Sequence, residues 1–301
     1  MNHPDADHFL TRPITRNDLT FRDLERAFRE AGVPFTEETP VRFGLRTTAA
    51  STASAAASAF GGPFTFLGFV LSDQWNLATL VNTFDAEGNL RRNRRVAGPL
   101  LWQMERVRDL LDDADAPYIF KTGMLRRIER HPWPVPALRA ALAHAFTDRD
   151  FASPLEVAFN IHPDVIRVVV PGAADAPNLG LSDILRHLGR MEDAAAAGAL
   201  GDIFRAYEGT GRTPGVPQTG LLHEVELPSV VEALSDEESA VLRFIAEREE
   251  GRTCAEVEEA SGLSRTAAGR VLKRLVDAGW VRAIAEEVGP DGVFRYVTRE
   301  D

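Results

Sequence analysis

Cysteine is almost missing from this 301-residue chain. The lone Cys254 excludes an intrachain disulfide and any zinc site built on paired cysteines. Lysine is nearly as scarce, with only Lys121 and Lys273 among 34 basic residues, a usage that a GC-rich coding sequence explains without a functional cause. No apolar run approaches the ~18–20 residues that a membrane span needs. The opening stretch MNHPDADHFLTRPITRNDLT has neither a basic start nor an apolar signal segment, so export is not expected and the cytoplasm is the default. Positive charge is in deficit too: 34 Lys and Arg against 45 Asp and Glu give a formal net charge of −11. Such a molecule does not adhere to nucleic acid indiscriminately, and any DNA contact must come from a local basic patch. The seven histidines are scattered, without an HExxH or paired-histidine spacing, and no metal site is expected.

What is present divides into two parts. The length suggests about two domains, and residues 1–19 look like a tail. Asn17 to Gly32 carries apolar residues at close to helical spacing, with Thr20 or Asp18 as N-cap and Gly32 as stop. The small-residue stretch Arg46 to Gly62 is assigned no chemistry. Phe64 to Ser72 and Asn76 to Phe84 are short apolar runs around Asp73-Gln74 and are expected to pair as strands. Arg95 to Leu111 has helical spacing, a strand is expected at Tyr118 to Ile128, and Pro136 suits the first turn of a helix over Ala137 to Phe151. Leu155 to Ile161 and Val165 to Val170, separated by His162-Pro163-Asp164, suggest a hairpin. Helices are expected at Leu181 to Leu188 and Ala194 to Tyr207, and Glu224 to Leu227 is expected to close the sheet. Residues 20–228 thus read as an α+β domain, with a boundary near Ser229 and a different module over 229–301.

That module is richer in signals. Ser235 and Glu238 have the capping-box spacing ahead of a first helix. A second short helix spans about Cys254 to Ala260, and a third starts at Ser264. On the third, Ala268, Val271, Leu272 and Leu275 recur at i, i+3, i+4 and i+7 and face a core, while Thr266, Gly269, Arg270 and Lys273 project the other way. Strands at Trp280 to Ile284 and Val293 to Val297, joined through Gly289-Pro290-Asp291-Gly292, form a wing. From Ser261 to Arg282 the bases Arg265, Arg270, Lys273, Arg274 and Arg282 face a single acid, Asp277. A recognition helix enters the major groove by its N-terminal end, where arginine can pair bidentately with guanine. Ser264, Arg265, Thr266 and Arg270 are therefore the expected base-edge or nearby contacts. Lys273 and Arg274 are expected at phosphates, and Arg295 at a flanking phosphate. GLSRTAAGRVLKRLVDAGWV (Gly262 to Val281) resembles the MarR-like winged helices of bacterial and archaeal regulators. A winged helix that contacts protein rather than DNA is the alternative.

The larger part resembles a family of transcriptional regulators with a RecG C-terminal-like domain related to the GHKL ATPases. The resemblance is carried by LTFRDLERAFREAGVPFTE (Leu19 to Glu37), FTFLGFVLSDQ (Phe64 to Gln74), RRNRRVAGPLLWQMERVRDLL (Arg91 to Leu111), ALRAALAHAFTDRDF, Pro171-Gly172 and YEGTG (Tyr207 to Gly211). It implies a GHKL-like α/β sandwich ahead of the winged helix-turn-helix domain. It also implies a nucleotide site near His144, Asp148, Arg149, Asp150, Gly172, Gly209, Thr210 and Gly211. The departures are informative. Where nucleotide-binding members have a water-activating Glu and a Mg²⁺-holding Asn, this chain has Ala140 and His144. Alanine cannot act as a general base, and Mg²⁺ prefers hard oxygen ligands. Catalysis is not expected, and no cofactor is, although ATP with Mg²⁺ remains an open alternative. The family often carries an AlbA/Schlafen-like domain ahead of this region; none is expected in this sequence, and the winged helix is the expected DNA reader. The expectation is a transcriptional regulator that binds double-stranded DNA as a homodimer. Its eroded larger domain serves dimerisation or ligand sensing, and its effector is unidentified.

Overall fold

The computed structural model describes residues 9–48, 61–122, 126–172, 178–190, 198–219, 222–231, 234–286 and 293–298. The elements, in chain order, begin with α1 (Arg22–Glu30), α2 (Thr39–Arg42), α3 (Phe66–Val70), β1 (Thr79–Phe84), β2 (Leu90–Val96) and α4 (Leu100–Ala114). Then come β3 (Tyr118–Thr122), β4 (Arg126–Arg130), α5 (Val135–Thr147), β5 (Val157–Ile161), β6 (Val165–Pro171), α6 (Leu179–His187) and α7 (Gly198–Ala206). The chain continues through β7 (Gln218–Thr219), β8 (Leu222–Pro228), α8 (Asp236–Ala246), β9 (Arg252–Thr253), α9 (Cys254–Ser261), α10 (Arg265–Asp277), β10 (Val281–Glu286) and β11 (Val293–Thr298).

Contacts gather the chain into two compact units. The first comprises Met1–Ala114, Val135–Ala206 and Thr213–Pro228; the second comprises Asp115–Pro134, Tyr207–Arg212 and Ser229–Asp301. Ser229 opens the last segment of the second unit, but the division in space is not a single cut in sequence. The segment 115–134 is held to the C-terminal module by hydrogen bonds from Val230 N–H to the Pro132 carbonyl at 2.7 Å and from Arg130 Nη2 to the Gly279 carbonyl at 3.0 Å.

The first unit is mixed α/β. Its sheet has the order β2-β1-β5-β6-β8-β7. β1 and β5 are parallel, and the other neighbours are antiparallel. Period-two alternation gives the sheet one closed face. Val81, Val157, Phe159, Ile161, Ile166, Val168, Val170, Val225 and Leu227 are all buried. Helix α4 contacts β1 and β2, and α5 contacts β6. On the alternate positions Asn93 donates to Asn82 at 2.6 Å and Asn82 donates to Asn160 at 2.8 Å, a polar ladder across three strands.

Several expected elements differ. Phe64 to Ser72 is not a strand: Thr65 caps the short helix α3, its hydroxyl accepting from Gly68 N–H. Gly68 is needed there, because a Cβ would lie 2.5 Å from the Leu45 carbonyl oxygen. The antiparallel partner of β1 is instead β2, whose sequence LRRNRRV leaves mostly exposed side chains and so gives no hydrophobic alternation. Consequently the helix expected from Arg95 begins only at Leu100, after Pro99. The strand expected over Tyr118 to Ile128 is a hairpin, with Tyr118 opposite Arg130. Neither Thr20 nor Asp18 caps α1. The Asp73 carboxylate does so from a distant loop, accepting from the N–H groups of Arg22 and Asp23 and from the Thr20 hydroxyl. The hairpin of β5 and β6 occurs as expected, and β8 forms beside β6, although β7 rather than β8 closes that edge of the sheet. Residues 9–19 are not a tail: Leu10 is buried, Ile14 N–H donates to the Phe64 carbonyl at 2.8 Å and Phe66 N–H to the Arg12 carbonyl at 2.9 Å. Residues 1–8, the stretch 49–60 and the wing turn at Gly289 to Gly292 lie outside the described residues.

Candidate nucleic-acid interface

The second unit builds its exposed helix from local signals. Ser235 and Glu238 close a capping box on α8. A second box, formed by Thr253 and Glu256, opens α9; the same Ser/Thr-x-x-Glu spacing marks it in the sequence. Gly262 ends α9 with φ 69°, the left-handed conformation that favours glycine. Ser264 then caps α10, its hydroxyl accepting from Ala267 N–H at 3.3 Å. The inward side of α10 places Ala268, Leu272 and Leu275 in one core with Val241, Leu242, Ile245, Val257, Trp280 and Val281. Each fully buried aliphatic side chain of this kind contributes about 1.5–3 kcal/mol. Val271, expected in the core, is only partly buried beside it. Strands β10 and β11 pair antiparallel, and the short β9 adds to β11.

The outward side of α10 carries most of the residues expected to contact DNA. Ser264, Arg265, Thr266, Arg270, Lys273 and Arg274 are all exposed. Among the described residues neither Arg265 nor Arg270 has a carboxylate partner. Lys273 Nζ lies 2.6 Å from Asp277, and Arg274 Nε lies 2.6 Å from Glu238, which is itself buried. Arg295, on β11, is half-buried with Nη1 3.9 Å from Glu256. The Glu256 carboxyl is held below its ordinary range by the Thr253 backbone N–H; its partial burial opposes this, while the Thr253 hydroxyl and the charges of Arg252 and Arg295 reinforce it. Three of the seven candidate residues therefore have a carboxylate to release before meeting a phosphate, and two arginines do not.

The residues named for a nucleotide are divided. His144 is buried on α5, with Nδ1 2.7 Å from Asp148 Oδ2 and no partner for Nε2. Asp150 and Gly172 are in contact: a Cβ on Gly172 would lie 3.0 Å from Asp150 Cβ. Arg149 is 1% exposed, donates to the Leu155 carbonyl and has its guanidinium 5.0 Å from the Phe151 ring centroid. Asn178, which no sequence signal singled out, donates its side-chain N–H groups to the carbonyls of Thr147 and Arg149 and so ties down the end of α5. Gly209, Thr210 and Gly211 belong to the second unit, so the expected constellation is not a site of the first unit alone. Within the first unit, Ala140 and Ala143 line a cavity of ≈ 760 Å³ together with Met104, Leu142, Arg108 and Arg139. Among the described residues no cluster of His, Cys, Asp and Glu could hold a metal ion.

Three helices followed by a β-hairpin, with a capped and cationic third helix, define a winged helix domain. A model of the MarR family matches residues 234–292, so the C-terminal part of the chain carries a MarR-family domain. Across the whole chain, the crystal structure of the DIP2311 protein from Corynebacterium diphtheriae is similar with a TM-score of 0.57 and 17% identity, covering 98% of this chain and 67% of that one. At that identity the likeness is one of fold. A comparison with curated proteins gives no match. Among the described residues no helix is long and apolar enough to cross a membrane.

Proposed function

We propose that this chain is a transcriptional regulator whose MarR-family domain reads duplex DNA through α10, with Ser264, Arg265, Thr266 and Arg270 at base edges or near them and Lys273, Arg274 and Arg295 at phosphates. The observation that carries the reading is the pair Arg265 and Arg270. Both are exposed on one helix and lack a carboxylate partner among the described residues, in a chain whose net charge is −11. An acidic protein that leaves two arginines unneutralised on the outer side of a capped third helix is arranged for a local polyanion. A homodimer would present two such helices about one DNA turn apart, ~34 Å, and select a palindromic site.

The first unit, in this reading, is a GHKL-like domain without catalysis that serves dimerisation or ligand sensing. Ala140 offers no base, and His144 is buried with its Nδ1 held by Asp148. The ≈ 760 Å³ cavity beside Ala140 falls within the range of small-molecule sites.

The test is selection of duplexes from genomic DNA by the intact protein, followed by anisotropy titration at several salt concentrations. Binding should weaken by a log–log slope of about −0.9 per phosphate contact. Arg265→Ala with Arg270→Ala should weaken it at least about tenfold, equivalent to ~1.4 kcal/mol. No enriched duplex would remove the reading and leave a protein-contacting winged helix, whereas a double variant that binds duplex like the parent would remove Arg265 and Arg270 as its DNA contacts. Titration with ATP and Mg²⁺ should give no turnover, and a steady release of phosphate would overturn the non-catalytic assignment.

A further inference from the structure

The second unit contains a cavity of ≈ 480 Å³ between the Thr210–Arg212 turn and the C-terminal half of α10. Its lining includes four cationic side chains, Arg212, Arg270, Lys273 and Arg274, against one carboxylate, Asp277. Asp277 is taken by Lys273, Glu238 holds Arg274, and Arg270 has no carboxylate partner among the described residues. Gly211 also lines the space, and among the described residues its backbone N–H has no acceptor. Positive charges facing a common concave space repel one another, to an extent that solvent screens because these side chains are exposed. A bound anion relieves it. The volume lies within the range of sites for small molecules, and the donors suit phosphate oxygens: guanidinium forks, one ammonium and a backbone N–H.

We propose that this cavity is a binding site for a small, multiply charged phosphate-bearing anion, a phosphate ester or diphosphate. Arg212, Arg270, Lys273 and the Gly211 N–H are its ligands. On the reading of α10 as the DNA-contacting helix, the proposal has a regulatory consequence. Arg270 and Lys273 cannot serve the anion and the duplex together, so the two compete and the anion releases DNA. A backbone phosphate of DNA offers the same chemistry, and binding without DNA separates the two sources.

The experiment uses the full chain and inorganic pyrophosphate, without metal, at constant low ionic strength. Calorimetry on the DNA-free protein should show saturable binding, which Arg212→Gln and Arg270→Gln each weaken about tenfold, ~1.4 kcal/mol. Arg212 is exposed and lies outside the helix assigned to DNA, so Arg212→Gln should keep its DNA affinity yet lose sensitivity to pyrophosphate. The wild-type protein should show a several-fold weaker apparent DNA affinity when pyrophosphate is present. Absence of heat, or an Arg212→Gln variant that binds pyrophosphate like the parent, would overturn the site. Pyrophosphate binding without any effect on DNA affinity would overturn the competition. Pyrophosphate binding by a protein that binds no duplex would overturn the DNA reading while supporting the site.

Discussion

Glu238 Oε1 lies 2.6 Å from Arg274 Nε, while Oε2 of the same carboxylate accepts the Ser235 N–H at 2.8 Å. A single buried side chain thus closes the capping box of α8 and grips the outward-facing α10. Glu238→Ala removes both interactions, and the cap alone is worth about 0.5–2 kcal/mol. The expected loss is about 1–3 kcal/mol, read as a lower denaturant midpoint for the C-terminal module. Arg274→Ala should cost under about 1 kcal/mol, since its side chain is 55% exposed and solvent screens the pair. Equal midpoints for Glu238→Ala and the parent would show that the carboxylate does not organise the helix pair.

Ser264 has two assignments that mutation can separate. Its hydroxyl caps α10, and its position at the helix N-terminus also places it where a base edge or phosphate would arrive. Ser264→Asp should preserve the cap, since aspartate is as good an N-cap as serine. It should also depress DNA affinity at least about tenfold by setting a carboxylate against phosphate. Ser264→Ala should instead cost about 1 kcal/mol of stability. Thermal melts and anisotropy titrations on both variants check this, and an aspartate variant that binds DNA normally would place Ser264 away from the duplex.

Only part of the molecule is legible in its sequence. Helix α10 was legible because its core contacts, Ala268, Leu272 and Leu275, repeat at helical spacing next to a capping serine. The hairpin of β5 and β6 was legible because two apolar runs flank the turn residues His162-Pro163-Asp164. Strand β2 was not: it carries RRNRR and lies at the sheet edge, where its exposed positions need no apolar residue. Helix α3 was misread because FLGFV, an apolar run too short to show a period, fits helix and strand equally. Pairing across the chain was also hidden. No spacing rule connects Asp73 to the N-terminus of α1, Asn178 to the end of α5, or Arg212 to the cavity at α10.

Asp73 gives a pH-dependent prediction. Its partial burial favours the neutral acid, yet hydrogen bonds from the Thr20 hydroxyl and the N–H groups of Arg22 and Asp23 outweigh this and hold the carboxyl below its ordinary value. A depressed folded value stabilises the fold above the ordinary carboxylate pKa of ~3.9 and loses that contribution as the pH falls through the folded value. Asp73→Asn should therefore be less stable than the parent at neutral pH, by about 1 kcal/mol for a charged cap at a helix N-terminus. The difference should shrink below about pH 4. Urea midpoints for both proteins across this range provide the measurement. A gap that stays constant in acid would mean that the charge on Asp73 contributes nothing.

Arg149 is the largest fully buried side chain among the described residues of the first unit, at a position expected near a nucleotide. Its Nη2 donates to the Leu155 carbonyl at 3.1 Å, and Nε has no hydrogen-bond partner. No carboxylate lies within ion-pair distance among the described residues. Burial pushes its guanidinium down to about 10, against the opposing charges of Asp150 and Glu156. A base held below its ordinary value costs stability while the pH is under that folded value, and the cost falls as the pH rises past it. Replacing a poorly paired buried charge with an apolar side chain of similar length is often neutral or stabilising by about 1–4 kcal/mol. Arg149→Met should therefore match or exceed the parent in stability at neutral pH. Arg149→Ala should fall below the methionine variant by about 2–5 kcal/mol through the cavity it opens. If Arg149→Met instead unfolds more readily than the parent by more than about 1 kcal/mol, the hydrogen bond to Leu155 outweighs desolvation, and Arg149 anchors its loop through its charge.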